Sequence, residues 1–230
     1  MTHVLRLDFI EHRFGKKSIL SKVNFICNTG DVIAIFGRNG SGKSTLLKSL
    51  FGTLQPNKIE LNLDGRIINR ISPKDKTIAY LPQDPFLPKD IIVRNIIPMY
   101  FPDGDIQNKI FYSPLIDKIE NQRIGTLSLG ELRYLEFLLI IHLDHPFILL
   151  DEPFSMIEPL YKDAIKDIII EYKRNKGFII TDHYYSDVME VANKKMILKG
   201  GVSQEVSDLK DLIENGYLPS AHANNDRDLR

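Results

Sequence analysis

The sequence predicts an α/β fold, with a mostly parallel central sheet, an N-terminal antiparallel β subdomain and a small helical subdomain. Three observations carry that expectation. Short apolar runs, "DVIAIF" (31–36), "FILL" (147–150) and "FII" (178–180), read as strands buried on both faces of a parallel sheet. Between the last two lies a helical stripe of Leu160, Ala164, Ile165, Ile168 and Ile169, ended by a lysine-rich turn and Gly177. The first third has another rhythm, in which apolar and polar residues alternate with period two.

Along the chain, Leu5, Leu7 and Phe9 alternate with Arg6 and Asp8, and Val23, Phe25 and Cys27 alternate again; both are strand signals. In "KIELNLDGRII" (58–68), Ile59, Leu61 and Leu63 share a face, and Asp64-Gly65 turns the chain into Ile67 and Ile68 as a hairpin. "DVIAIF" runs into a glycine-rich loop. Leu46, Leu47, Leu50 and Phe51 follow at helical spacing, with Gly52 placed to stop the helix. The segment 84–126 is punctuated by prolines and reads as an irregular or helical subdomain, spanning about 84–130 within a domain of residues 1–218. Residues 219–230 are polar and expected to fray.

Composition narrows the function classes. Thirty basic residues balance thirty acidic ones, so no overall field draws the chain to nucleic acid or to an anionic membrane. The single cysteine, Cys27, forms neither an intrachain disulfide nor a metal site, and its alternation with Val23 and Phe25 makes it a core residue. The N-terminus lacks the basic start and apolar stretch of a signal peptide, and no apolar run approaches the ~20 residues that span a bilayer. A cytoplasmic chain is the expectation.

The loop itself, "GRNGSGKST" (37–45), fits G-x-x-x-x-G-K-[ST] from Gly37 to Ser44. Its setting, strand then loop then helix, is that of a P-loop NTPase. Glycines at 37, 40 and 42 let backbone N–H groups wrap phosphates, and the helix N-terminus adds partial positive charge. The whole stretch Gly37, Arg38, Asn39, Gly40, Ser41, Gly42, Lys43, Ser44 and Thr45 is therefore expected to bind nucleotide. Lys43 should reach the β- and γ-phosphates, and Ser44 should ligate Mg²⁺. Asp151 follows the apolar run "FILL" and so emerges at a strand's carboxyl end, where it can hold that magnesium. Glu152, next along, could polarise an attacking water. A GTPase reading fails, because "NKKM" (193–196) lacks the aspartate of N-K-x-D.

"LSLGE" (127–131) has two readings. Ser128 and Glu131 form a capping box, opening a helix that carries Leu132, Leu135, Leu138 and Leu139 on one face. The stretch also resembles the L-S-G-G-Q signature of the ATP-binding cassette (ABC) family, just upstream of "FILLDEP", and the resemblance extends over nearly the whole chain. The two agree, since a capped helix N-terminus is an anion site. The resemblance implies that Ser128, Leu129, Gly130 and Glu131 face the phosphate loop of a second cassette, identical or paralogous, and that Ser128 and Gly130 touch its γ-phosphate.

Further roles follow from the resemblance alone. Gln83 in "AYLPQDP" matches the glutamine that senses magnesium and the attacking water. His183 in "IITDH" matches the histidine on the γ-phosphate. Phe14 in "HRFG" matches the aromatic that stacks on adenine, with a plain strand-end residue as its rival, and "FSMIE" matches the loop between the two sites. Catalytic roles thus fall to Glu152, His183, Gln83 and Lys43, and magnesium to Ser44, Gln83 and Asp151. The implied protein is an ATP-hydrolysing subunit that dimerises on ATP and drives a separate integral membrane permease from the cytoplasmic side, with no nucleic acid as partner. A cassette ATPase serving no transporter, of the iron–sulfur assembly type, and a non-hydrolysing regulator are the alternatives. The chain departs from the family pattern at Leu129 (glycine), Glu131 (glutamine), Glu158 (aspartate) and Phe14 (tyrosine). Leu129 matters most: turned into the helical subdomain it leaves the site intact, and turned across the interface it weakens closure.

Overall fold

The computed structural model describes residues 2–68, 72, 75–207, 209–214 and 217, so the tail expected at 219–230 lies outside the described residues. β1 (Val4–Phe14), β2 (Lys17–Leu20) and β3 (Phe25–Asn28) precede β4 (Val32–Phe36). Then come α1 (Lys43–Phe51), the hairpin β5 (Lys58–Leu63) and β6 (Arg66–Ile68), and β7 (Ile78–Leu81). The segment expected to be helical holds α2 (Val93–Tyr100), α3 (Gly104–Phe111) and two 3₁₀ turns, and leads into α4 (Leu129–Ile141). β8 (Phe147–Asp151), α5 (Pro159–Tyr172), β9 (Gly177–Thr181), α6 (Tyr185–Val191), β10 (Lys194–Lys199), β11 (Val202–Glu205) and α7 (Leu209–Glu214) complete it.

One sheet is antiparallel, in the order β2-β1-β5-β6 with β3 also paired to β1. The other runs β11-β10-β4-β9-β8-β7 and is parallel except for β11. Its strands β4, β7, β8 and β9 are buried at every position because both faces are covered. In β4, Val32, Ala34 and Phe36 enter the core shared with the helices α2 to α6, whereas Ile33 and Ile35 enter the core shared with α1 and the antiparallel sheet. β8 and β9 divide in the same way, Leu150 and Ile180 to one side, Leu149 and Ile179 to the other.

The parallel register brings several loops to one edge. Leu81 pairs with Leu150, Asp151 with Thr181, and Ile35 with Thr181. The residues just past these strand ends are Gly37, Gln83, Glu152 and His183. Four sequence-distant segments are thus delivered together by a ladder of backbone hydrogen bonds.

Three local expectations need correction. A bulge shifts the β1–β5 register between Leu7 and Phe9, so the inward face passes from Leu5 and Leu7 to Ile10 and His12, and Phe9 is only partly buried. On α5 it is Tyr161, not Leu160, that joins Ile165, Ile168 and Ile169 in the core; Leu160 is 53% exposed. Leu160 sits on the first turn of α5. α4 is not one-faced but buried nearly all round, Arg133 and Glu136 included. Among the described residues, no helix is long and apolar enough to cross a membrane.

Candidate active site

The loop between β4 and α1 is built by close approach. A Cβ on Gly37 would lie 2.6 Å from the Leu198 carbonyl oxygen, and one on Gly42 would lie 3.0 Å from Ile19 where φ is already +105°. Glycine therefore lets the loop wrap tightly over β10 and β2. Lys43 opens α1 and is buried, its Nζ donating to the Gly37 carbonyl at 2.7 Å. Burial lowers its pKa, and Glu152, Asp151 and Asp182 counter by holding the charge. The loop thus carries a desolvated ammonium beside a helix N-terminus, an arrangement suited to a polyanion.

Opposite stands Asp151, buried at the end of β8. Its Oδ1 accepts from Thr181 Oγ1 at 2.7 Å and from Ser44 Oγ at 3.3 Å, and its Oδ2 accepts from the Tyr80 hydroxyl at 3.0 Å. Burial first and this carboxylate second push the Tyr80 phenol well up, so it stays a donor. Glu152 follows in the left-handed region, φ 55°, at a cost of about 1–2 kcal/mol for a non-glycine residue. That turn aims the side chain across the cleft. Oε2 accepts from Gln83 Nε2 at 3.0 Å and from Ser155 Oγ at 3.2 Å, and Oε1 lies 2.9 Å from His183 Nε2. Gln83, Glu152 and His183, chosen from three separate stretches of sequence, form one cluster.

A supporting layer escaped the sequence reading. Asp182 is buried and accepts from Phe154 N at 2.8 Å, Tyr184 N at 2.9 Å and Ser155 Oγ at 3.3 Å. It pins the loop after Glu152 to the one carrying His183. Burial raises its pKa, against the N–H groups of Tyr184, Phe154 and His183. Arg133 donates to the carbonyls of Pro82 and Asp151, tying α4 to the segments that hold Gln83 and Glu152. Glu136 lies 3.9 Å from Arg133 and accepts from Phe86 N at 2.7 Å. The available signal was an Arg and a Glu at i, i+3 inside a leucine-rich helix, charges that a buried helix retains only when paired.

Phe14 is 55% exposed and lines a cleft of about 570 Å³ together with Asn39 to Thr45, Gln83, Glu152 and His183. Gly37 and Arg38 instead border an adjoining recess of about 310 Å³ behind the loop, with Tyr217. Ser128 and Glu131 make the expected capping box: Ser128 Oγ accepts from Glu131 N at 3.2 Å, and Glu131 Oε2 accepts from Ser128 N at 2.7 Å. The signature stretch lines no part of the phosphate-loop cleft. Leu129 is 59% exposed and stands on the wall of a neighbouring recess with Glu152, Met156 and His183, so it does not turn into the helical segment. A Cβ on Gly130 would meet Ile157 at 3.5 Å, an ordinary contact, so nothing among the described residues demands glycine there.

A parallel sheet that delivers a lysine-bearing phosphate loop, a buried aspartate and an adjacent glutamate to one edge defines a P-loop nucleotide hydrolase. The particular kind follows from comparison. The family model described as ABC transporter matches residues 20–155, and the chain belongs to that family as an ATP-binding and ATP-hydrolysing subunit. An uncharacterized ABC transporter ATP-binding protein of Methanocaldococcus jannaschii is 24% identical over 232 residues, covering 93% of this chain and 84% of the relative. The lipopolysaccharide export system ATP-binding protein LptB of Haemophilus influenzae is 26% identical over 211 residues, covering 86% and 88%. Among solved structures, a nucleotide-free ATP-binding cassette from an ABC transporter superposes with a TM-score of 0.80 at 21% identity, over 94% of this chain and 96% of that one.

Proposed function

We propose that two cassettes, this chain with a copy or a paralogue, clamp ATP between the phosphate loop of one and the Ser128–Glu131 stretch of the other, then part after hydrolysis. Within one chain the phosphate loop and Leu129 line different recesses. The observation that carries the reading is the Glu152 carboxylate, held by Gln83, Ser155 and His183 at the mouth of the phosphate-loop cleft.

On nucleotide binding, Lys43 exchanges the Gly37 carbonyl for the β- and γ-phosphates, and Phe14 stacks on the adenine. Glu152 orients the water that attacks the γ-phosphorus. Gln83 holds that carboxylate and the water in register, and His183 leaves Glu152 for a γ-phosphate oxygen. The residues fit a magnesium ion, since Ser44 and Asp151 bring a hydroxyl and a carboxylate 3.3 Å apart and Gln83 adds an amide oxygen. Asp151, oriented by Thr181, Tyr80 and Ser44, would hold the ion directly or through water. Magnesium supplies neutralisation of the β- and γ-phosphate charge.

The motion passes to an integral membrane permease on the cytoplasmic side, docked on the helical segment 84–130. Met99 and Tyr112 support that assignment, being large apolar side chains exposed on α2 and just past α3. Replacing Glu152 by Gln keeps the shape and removes the basic carboxylate. That variant should bind ATP as the parent does and lose hydrolysis by 10²-fold or more, of order 3 kcal/mol in the barrier. Parental turnover in Glu152→Gln would remove Glu152 from the chemistry.

A further inference from the structure

Behind the exposed ring of Phe14 lies a group that the reaction above does not use. His12 lies two residues earlier on β1 and is only 6% exposed. Neither ring nitrogen has a hydrogen-bond partner among the described residues. The imidazole meets the Phe14 ring edge to face, with centroids 4.6 Å apart and planes at 87°. Across the ladder His12 pairs with Leu20, and Leu20 Cδ2 lies 3.1 Å from where a Cβ on Gly42 would stand. His12 therefore sits one layer behind the phosphate loop, under the aromatic at the cleft's rim.

Nothing in the packing calls for an imidazole there. The other inward positions of β1 are Leu5, Leu7 and Ile10, and a buried polar group left without partners is costly enough to need a reason. We propose that His12 is a base-recognition residue. When Phe14 turns outward to stack on a purine, it uncovers the imidazole, and one ring nitrogen hydrogen-bonds the polar edge of the base. Imidazole suits this because its two nitrogens are a donor and an acceptor, so either an amine or a ring nitrogen of the purine finds a match. The inference rests on Phe14 being the stacking face.

Calorimetric titration with magnesium present, using ATP and inorganic tripolyphosphate on the parent, His12→Phe and Phe14→Ala, tests it. His12→Phe should weaken ATP about fivefold, the worth of one net hydrogen bond. It should leave tripolyphosphate affinity and melting temperature undiminished, because phenyl keeps the ring contact and removes the orphaned nitrogens. Parental ATP affinity, or equal loss of both ligands, overturns the proposal. If Phe14→Ala leaves the ratio of ATP to tripolyphosphate affinity unchanged, the stacking reading falls and takes this one with it. If the ratio drops in Phe14→Ala but not in His12→Phe, only the role of His12 falls. A second measurement does not depend on the variants folding. In ¹⁵N-histidine-labelled parent protein the His12 ring nitrogens should shift with ATP and not with tripolyphosphate, and an unmoved His12 at saturating ATP refutes the contact.

Discussion

Asp182→Ala removes a buried carboxylate that touches no nucleotide in our account, yet it should damage both stability and turnover. The carboxylate accepts from Phe154 N at 2.8 Å in a buried bond and from Tyr184 N at 2.9 Å in a partly buried one. Hydrogen bonds to a charged acceptor are worth about 1.5–3 kcal/mol each, so about 3–6 kcal/mol of favourable interaction disappears. Relief of the burial that raises the carboxyl pKa returns part of it, leaving a net loss of about 2–4 kcal/mol. Glu152 and His183 lose their common anchor as well, and misplacement by about 1 Å costs on the order of 10² in rate. Urea denaturation and steady-state ATPase assays read the two effects. The pH dependence has a definite sign. The folded pKa of Asp182 lies above the ordinary 3.8, so the native state binds more protons in that interval. Its titration stabilises most at acid pH, and the gain is lost as pH rises through the folded pKa. The parent-minus-variant stability difference should therefore shrink from about pH 4 toward neutrality. A variant within about 0.5 kcal/mol of the parent, with parental turnover, would refute the anchoring role.

Lys43→Ala should abolish ATP turnover and strongly weaken nucleotide binding, read by ATPase assay and calorimetry; parental hydrolysis would refute the assignment of the loop. Leu129→Gly should leave the fold intact and preserve or raise ATPase activity, because an exposed side chain between the signature contacts is removed at a helix-start cost of at most about 1 kcal/mol. Deep loss of activity with parental melting would show that Leu129 makes a needed contact. Lys176, whose Nζ donates to the carbonyls of Leu143 and His145, has its pKa lowered by burial to about 8 from 10.5. The unfolded chain binds more protons between those values, so the stability of the parent minus that of Lys176→Met should rise from pH 8 to 10.5. A flat or falling difference counts against the desolvated ammonium.

Much of this was legible in the sequence because periodicity and position report burial directly. The runs "DVIAIF", "FILL" and "FII" are apolar on both faces, and each became a central strand of the parallel sheet. The Asp64-Gly65 turn adopted the positive φ at both residues that its sequence implies. The phosphate loop, Gln83, Asp151, Glu152 and His183 were placed by motif, and the strand ends gathered them. What stayed hidden were charges that serve from inside. Arg133 and Glu136 carried no periodic signal of burial, since periodicity cannot show that a second layer covers their side of the helix. Asp182 sat unnoticed beside His183, because its backbone N–H partners are marked by no sequence pattern. The β1 bulge was invisible for a related reason: alternation continues through it in the sequence while the buried face changes sides.

We propose that ATP joins two cassettes through the phosphate loop and the Ser128 stretch, and that hydrolysis at Glu152 releases them. Light scattering behind size exclusion, on Glu152→Gln with and without saturating ATP and magnesium, tests it most directly. The protein should be a monomer without ATP and a dimer with it. Adding Ser128→Arg should return the protein to monomer, since bulk and positive charge then stand where the partner's phosphate loop must close. A Glu152→Gln protein that binds ATP and stays monomeric, or a double variant that still dimerises, would contradict it.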